Sequence, residues 1–397
     1  MKHFLLVTLL FFFVFGAVNA QTGTATVIKG VVINISTGLP VEYANIGIEG
    51  TFIGAASNMD GEFRFNVPAS VKDGSIYVSA VGYKTVQLQI VDLPKTESII
   101  IEMHPQSYGI EEVDISAQSL VLYKIIRDVA GRIDDNYINK PFSEIAYYKT
   151  TTNINDTIKR VREAAVEIYD ATGYTGGNKK QEFDSRKYRF MEVRNDFNVT
   201  SLSDGMNQMD ELLQFDVVRS RGNILDEDFL RDYDLSLEQV TEYEGDSVWV
   251  INYSLENPDL SRTGDYYVSS YQGKLYVNMN GYAVVKNETW ITSSNYSRHG
   301  RSLFSVGYND RIPVSIEYKF IVSYRKNNNL YNLAYIKSER KNIWNIPNNK
   351  RMVISYDSFL IPTEVKMDNP TVISTRDYFV NKPYNKDFWE TFNVIIE

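Results

Sequence analysis

Cysteine is absent from this chain of 397 residues, which excludes disulfides, thiol nucleophiles, cysteine-ligated zinc and thiolate-held clusters. Histidine is scarce: there are three, and His3 falls in a stretch read below as a targeting segment. A catalytic zinc takes two or three histidines with carboxylate help. Neither His104, before Pro105, nor His299, before Gly300, opens an HExxH or HxxE arrangement. Basic charge is also in deficit. With 41 Lys and Arg against 50 Asp and Glu, the net charge is −9, so the broad basic face of a nucleic-acid binder is not expected.

The usual catalytic signatures are missing as well. There is no G-x-S-x-G elbow for a serine hydrolase, and no Walker A or G-x-G-x-x-G follows a strand; Gly47, Gly50 and Gly54 have the wrong intervals. Ser-x-x-Lys occurs at Ser323/Lys326 and Ser338/Lys341. That chemistry needs both groups on one helical face, and these copies sit in or beside strands. The turn from Asn58 to Gly61 lacks the carboxylates of an EF-hand loop. The densest acidic group, Asp226-Glu227-Asp228 with Asp232 and Asp234, reads as a solvated loop or helix face, with weak surface calcium binding as the alternative. The sequence therefore nominates no catalytic, cofactor-binding or metal-ligating residue, and the expectation is a non-enzyme without cofactors.

What the chain does have is aromatic residues, 28 Tyr and 20 Phe, a composition suited to strands and half-buried surfaces. It also opens on a secretory pattern. Lys2 supplies the positive region, and Phe4 to Val18 is apolar apart from Thr8 and Gly16. Ala17-Val18-Asn19-Ala20 then gives small residues for cleavage before Gln21. At about 15 apolar residues the stretch is shorter than the ~20 that span a bilayer. Export is expected, to the periplasm, the outer-membrane surface or the medium, and the lack of a cysteine after residue 20 argues against a lipid anchor.

Short strands follow at regular spacing. Val27–Ile35, Val41–Glu49, Phe63–Val67, Ile76–Val81, Val86–Ile90 and Ile99–Met103 are separated by turn signals such as Ser36-Thr37-Gly38-Leu39-Pro40 and Asn58-Met59-Asp60-Gly61. This spacing indicates a β-sandwich. Asp60-Gly61 reads as a hairpin dipeptide, and Gly82 before Tyr83 would let a strand end pass close to a neighbour. The runs Ile28-Lys29-Gly30-Val31-Val32, Gly38-Leu39-Pro40-Val41-Glu42-Tyr43-Ala44-Asn45-Ile46, Gly54, Asp60-Gly61-Glu62-Phe63 and Val78-Ser79-Ala80-Val81-Gly82-Tyr83 resemble the carboxypeptidase-regulatory-like domain. One departure is Ser57-Asn58, where that family usually shows Thr-Asp. The resemblance implies a transthyretin-like Greek-key sandwich, frequent at the N-terminus of Gram-negative envelope proteins. It implies no peptidase, because the module is an appendage of such enzymes.

One helix is expected next, with Ser119 as N-cap and Leu122, Ile125, Ile126, Val129 and Ile133 at helical spacing, ending before Lys140-Pro141. From Phe142 onward the pattern is antiparallel β. Hairpins are expected at Asn155-Asp156, Asn280-Gly281 and Asn327-Asn328-Asn329. One or two short helices are expected within the acidic interval 201–233, for instance Met206–Phe215. In Pro313–Arg325 the residues Val314, Ile316, Tyr318, Phe320, Val322 and Tyr324 share one face. Leu330–Arg340, mixing Asn332 and Lys337 with apolar positions, reads as a strand ending at a sheet edge. Gly273-Lys274-Leu275-Tyr276-Val277-Asn278 and Tyr282-Ala283-Val284-Val285-Lys286 resemble lipoprotein-carrier-like folds, in which a sheet shelters an apolar groove. Phe388-Trp389-Glu390 is similar to a recurrent ending of envelope proteins that carry the N-terminal module.

The fold class is thus mainly β: an N-terminal Greek-key β-sandwich, a short helical connector and a large antiparallel β-sheet domain with a few short helices. The divisions are a signal peptide at 1–20, the sandwich at 21–117, the connector at 118–140 and the sheet domain at 141–397. The leading functional expectation is an exported binding or scaffolding protein whose partner is an envelope protein or an apolar ligand in the C-terminal sheet. The alternative is an integral outer-membrane β-barrel behind the same module.

Overall fold

The computed structural model describes residues 26–71, 73–94, 97–108, 115–175, 185–194, 208–263, 268–293, 312–348, 350–377 and 384–394. The expected signal segment, Met206 and His299 lie outside the described residues.

Seven strands form the first unit: β1 (Thr26–Asn34), β2 (Asn45–Ile48), β3 (Gly54–Ala56), β4 (Glu62–Val67), β5 (Ser75–Ser79), β6 (Val86–Gln89) and β7 (Ser98–Met103). They make two sheets, ordered β4-β1-β7 and β3-β2-β5-β6, antiparallel except for the parallel pair β1 and β7. Ile28, Val32, Phe63 and Phe65 from one sheet meet Ile46, Ile48, Ile76 and Val78 from the other in one buried cluster. This is the expected sandwich. Asp60-Gly61 does not close a hairpin, however, because β3 and β4 belong to different sheets. The turn between them is organised by Asn58, whose side-chain oxygen accepts from the backbone N–H of Asp60 (2.9 Å) and Glu62 (2.7 Å). Gly61 supplies the left-handed backbone, at φ 74°.

The remainder comprises β8 (Ser107–Tyr108), α1 (Ile115–Gly131), α2 (Ile133–Asn136), β9 (Phe142–Ile154), β10 (Thr157–Asp170), β11 (Lys187–Arg194), α3 (Gln208–Gln214), α4 (Val217–Ser220), β12 (Tyr233–Tyr243) and β13 (Asp246–Leu255). After these come α5 (Leu260–Thr263), β14 (Val268–Asn278), β15 (Val284–Ser293), β16 (Ile312–Asn327), β17 (Leu330–Ile346), β18 (Lys350–Lys366) and α6 (Lys386–Thr391). The strands make one eleven-stranded antiparallel sheet, ordered β11-β10-β9-β18-β17-β16-β15-β14-β13-β12-β8. The Asn155-Asp156 and Asn328-Asn329 turns close β9–β10 and β16–β17 with both residues at positive φ, the conformation a two-residue hairpin demands and Asn tolerates. At the β14–β15 turn it is Tyr282, not Gly281, that carries the positive φ, 61°.

Alternation gives this sheet two apolar faces. On one, Tyr318, Phe320, Val322 and Tyr324 of β16 join Ala146, Tyr148, Leu275 and Leu360 beneath the helices. The stripe of α1 buries Leu122, Ile125, Ile126 and Val129 there, each side chain contributing about 1.5–3 kcal/mol. The helix begins at Ile115, so Ser119 lies inside it and is not its N-cap. Its apolar stripe packs as the helical spacing predicts, and its residues complete the core of the large sheet. Met209, Leu212 and Leu213 of α3 cover the same face, as the helical spacing predicts. On the opposite face, Tyr147, Ala165, Ile321, Tyr335 and Ile361 receive Tyr43 and Ala56 of the sandwich and Trp389 of α6. Lying between two covers explains the buried polar residues of β17. Asn332, Lys337 and Arg340 are at most 5% exposed, and β17 is a central strand running on to Ile346, not one leaving at an edge.

Candidate functional site

Two clusters of buried polar groups hold these layers together. The first lies beneath the sheet and centres on Asp216, which precedes α4 and accepts the Arg219 backbone N–H at 3.1 Å as its N-cap. Asp216 also accepts from the hydroxyls of Tyr174 (2.9 Å) and Tyr324 (2.7 Å) and from Arg186 Nη1 (3.2 Å). Arg186, 2% exposed, donates further to the Leu213 carbonyl at 2.6 Å. Beside it, Arg219 spans Asp170 with two bonds, 2.7 and 3.1 Å, while Asp170 caps the turn at Thr172 and Gly173. One oxygen of Glu144, Oε1, has no hydrogen-bond partner among the described residues. Burial pushes the Glu144 carboxyl up to about 7; Arg186 opposes that shift, and Asp216 and Asp170 reinforce it.

Chemically this cluster can hold but is not arranged to react. Burial drives the Tyr174 and Tyr324 hydroxyls well above their ordinary range, so they stay protonated donors. A catalytic centre needs a position where a substrate atom meets nucleophile and acid, whereas Asp216 is surrounded by the chain's own donors. The effect is to staple α3 and α4 over the sheet.

The second cluster joins the sandwich to the sheet. Arg325 of β16, 1% exposed, donates to Asn45 Oδ1 (3.3 Å) and the Pro362 carbonyl (3.0 Å). Glu244, after β12, accepts from Ser79 Oγ (3.2 Å) and from the Lys326 N–H (3.1 Å). Burial pushes its carboxyl up to about 7, against those hydrogen bonds. Gly82 passes close to β12 as expected: its N–H donates to the Glu242 carbonyl at 2.9 Å and its own carbonyl accepts from Gln106. At the far side the tail completes the junction. The Asn66 N–H of β4 donates to Asn393 Oδ1, and its side-chain amide donates to the Thr391 and Phe392 carbonyls.

The residues weighed in the sequence are not brought together by the fold. His104 is exposed and offers its carbonyl to the Lys84 N–H. Ser323 and Ser338 stand in β16 and β17, while Lys326 lies 3.9 Å from Asp246 and Lys341 3.8 Å from Glu317. Asp232 pairs with Arg262 at 2.7 Å, and no group of three or more potential metal ligands occurs among the described residues. Asp216, Arg186, Arg219 and Arg325 were not foreseen. Their partners come from separate segments, and only the Asp before an apolar pair gave a local sign, that of a helix N-cap.

Residues 28–115 match the model of the CarboxypepD_reg-like domain family. Among solved structures, the crystal structure of a LolA superfamily protein from Nitrosomonas europaea is similar over 63% of this chain and 94% of that chain, at 14% identity and a TM-score of 0.23. That score is too low for anything further to rest on it. No curated protein matches the chain.

Proposed function

We propose that the protein is exported and works in the cell envelope as a non-catalytic binding scaffold. The observation that carries this reading is the junction: a regulatory-like sandwich seated by buried groups on part of one face of a large sheet, whose other face is covered by the chain's own helices. Such an arrangement presents fixed surfaces outward. The barrel alternative fits less well, because the strand order runs open from β11 to β8 among the described residues and the face away from the helices carries the sandwich and α6. Fractionating cells that produce the full chain tests the reading. Mature protein in periplasm or loosely held at the outer membrane supports it, and protein retained in the cytoplasm refutes it.

A second reading places an apolar ligand between the sheet and its helices. It is favoured by the extent of the apolar face and by the shortness of α3 and α4, seven and four residues. The groove expected from the sequence is filled along the described residues by Leu122, Ile126, Met209, Leu212 and Val218. A ligand must therefore displace α3 and α4 against the Asp216 staple.

A further inference from the structure

Among the described residues, the face that carries the sandwich is open elsewhere. Over β12–β15 it forms a cleft of about 450 Å³ lined by Asp234, Ser236, Asn252, Ser254, Gln272 and Trp290, among others, a size typical of small-ligand sites. The register builds it. Asp234, Ser254, Gln272, Trp290 and Lys319 stand opposite one another in a single row across five strands. Ser236, Asn252, Lys274 and Glu288 make the next row. With strands about 4.8 Å apart, each row sets polar groups at even steps along a line.

Two features of this cleft have no structural explanation. Trp290 is the one tryptophan of four outside every apolar cluster, since Trp249, Trp344 and Trp389 all pack into cores; it stays half-buried, with Lys319 5.6 Å from its ring centre. Ser236, Asn252, Ser254 and Gln272 make no side-chain hydrogen bond among the described residues, which leaves hydroxyl and amide groups for a ligand. Of the nearby cations, Lys274 pairs with Glu238 at 2.7 Å, while Lys319 stands opposite Trp290 and, after Lys286, helps to hold the Glu288 carboxyl below its usual range.

A ligand matched to this surface is uncharged, rich in hydroxyls and has one apolar face for an indole. We propose that the cleft binds a neutral glycan, with a pyranose ring laid on Trp290. The C–H face of such a ring suits the negative face of the indole, and its hydroxyls reach Gln272, Ser254, Asn252 and Ser236 along the rows. The proposal gives the binding reading a ligand and rests on it only in requiring a folded, water-soluble chain. A chain soluble but blind to sugars defeats the glycan alone; a chain recovered only in detergent defeats the scaffold.

The test is calorimetric titration of the chain from Gln21 with maltohexaose, cellohexaose, xylohexaose and mannohexaose up to millimolar concentration, with an acidic oligogalacturonate for comparison. Saturable binding of at least one neutral sugar is expected, weakened at least about tenfold by Trp290→Ala, as for a central aromatic anchor. Gln272→Ala, at an exposed position, should weaken it several-fold and carries the test should Trp290→Ala fold poorly. No binding of any neutral sugar, binding of the acidic one alone, or affinities unchanged in both variants would overturn the proposal.

Discussion

Arg325 of the large sheet reaches Asn45 of the sandwich through the space that Gly54 leaves empty. A Cβ built on Gly54 would stand 2.1 Å from Arg325 Nη1, while the other guanidinium nitrogen is tied to the Pro362 carbonyl at 3.0 Å. The side chain is enclosed and cannot yield. Gly54→Ala should therefore cost about 1–3 kcal/mol by overpacking, seen as a lower denaturant midpoint. Arg325→Ala removes the guanidinium and should separate unfolding of the sandwich from that of the sheet, as two calorimetric transitions where the parent shows one.

Glu144 gives the fold a pH dependence of definite sign. Its folded carboxyl titrates at about 7, raised from 4.5, so the folded chain keeps a proton that the unfolded chain releases. The resulting stability is fully present below about 4.5, falls as pH rises toward 7, and stays lost above it. Glu144→Gln keeps the neutral shape. Denaturation of parent and variant should give similar midpoints near pH 5, with the variant ahead by about 2–3 kcal/mol at pH 8. Equal midpoints at pH 8 would show the carboxyl to be unperturbed.

Removing Asp216 should be more damaging than removing any carboxylate of the acidic segment 226–234. Asp216→Ala removes the carboxylate that Arg186 meets at 3.2 Å and that accepts from two buried tyrosine hydroxyls, a loss of about 3–5 kcal/mol. Asp228→Ala, at an exposed position, should change stability by less than about 0.5 kcal/mol. Limited proteolysis should also cut the Asp216 variant within 208–221 first.

These positions show what the sequence could and could not disclose. Turn chemistry is local, so the Asn155-Asp156 and Asn328-Asn329 hairpins were legible, as were the alternation of β16 and the apolar stripe of α1. Leu330–Arg340 misled because a strand covered on both faces by another layer tolerates Lys337 and Arg340 where their polar ends meet Tyr43 and Glu211 across the layer. Lys337 lies 4.8 Å from the Tyr43 ring centre, a neighbour 294 positions away and invisible to periodicity. The glycan cleft was hidden for the same reason. Trp290, Gln272 and Ser254 align only through the register of three strands.

The second reading has its own expected outcome. Should an apolar ligand enter beneath α3 and α4, it must open the Asp216 staple, so a lipophilic dye should bind the Asp216→Asn variant more tightly than the parent. Equal, weak and unsaturable fluorescence from both would confine the large apolar face to a structural role.

The central claim is that the eleven-stranded sheet folds in water as a support for the sandwich and does not line a membrane. Producing the chain from Gln21 without detergent and following it by size-exclusion chromatography with light scattering tests this most directly. The account predicts a monodisperse species of a single defined mass that remains in the aqueous phase. Recovery only in detergent, with migration on a gel that changes on heating, would contradict it.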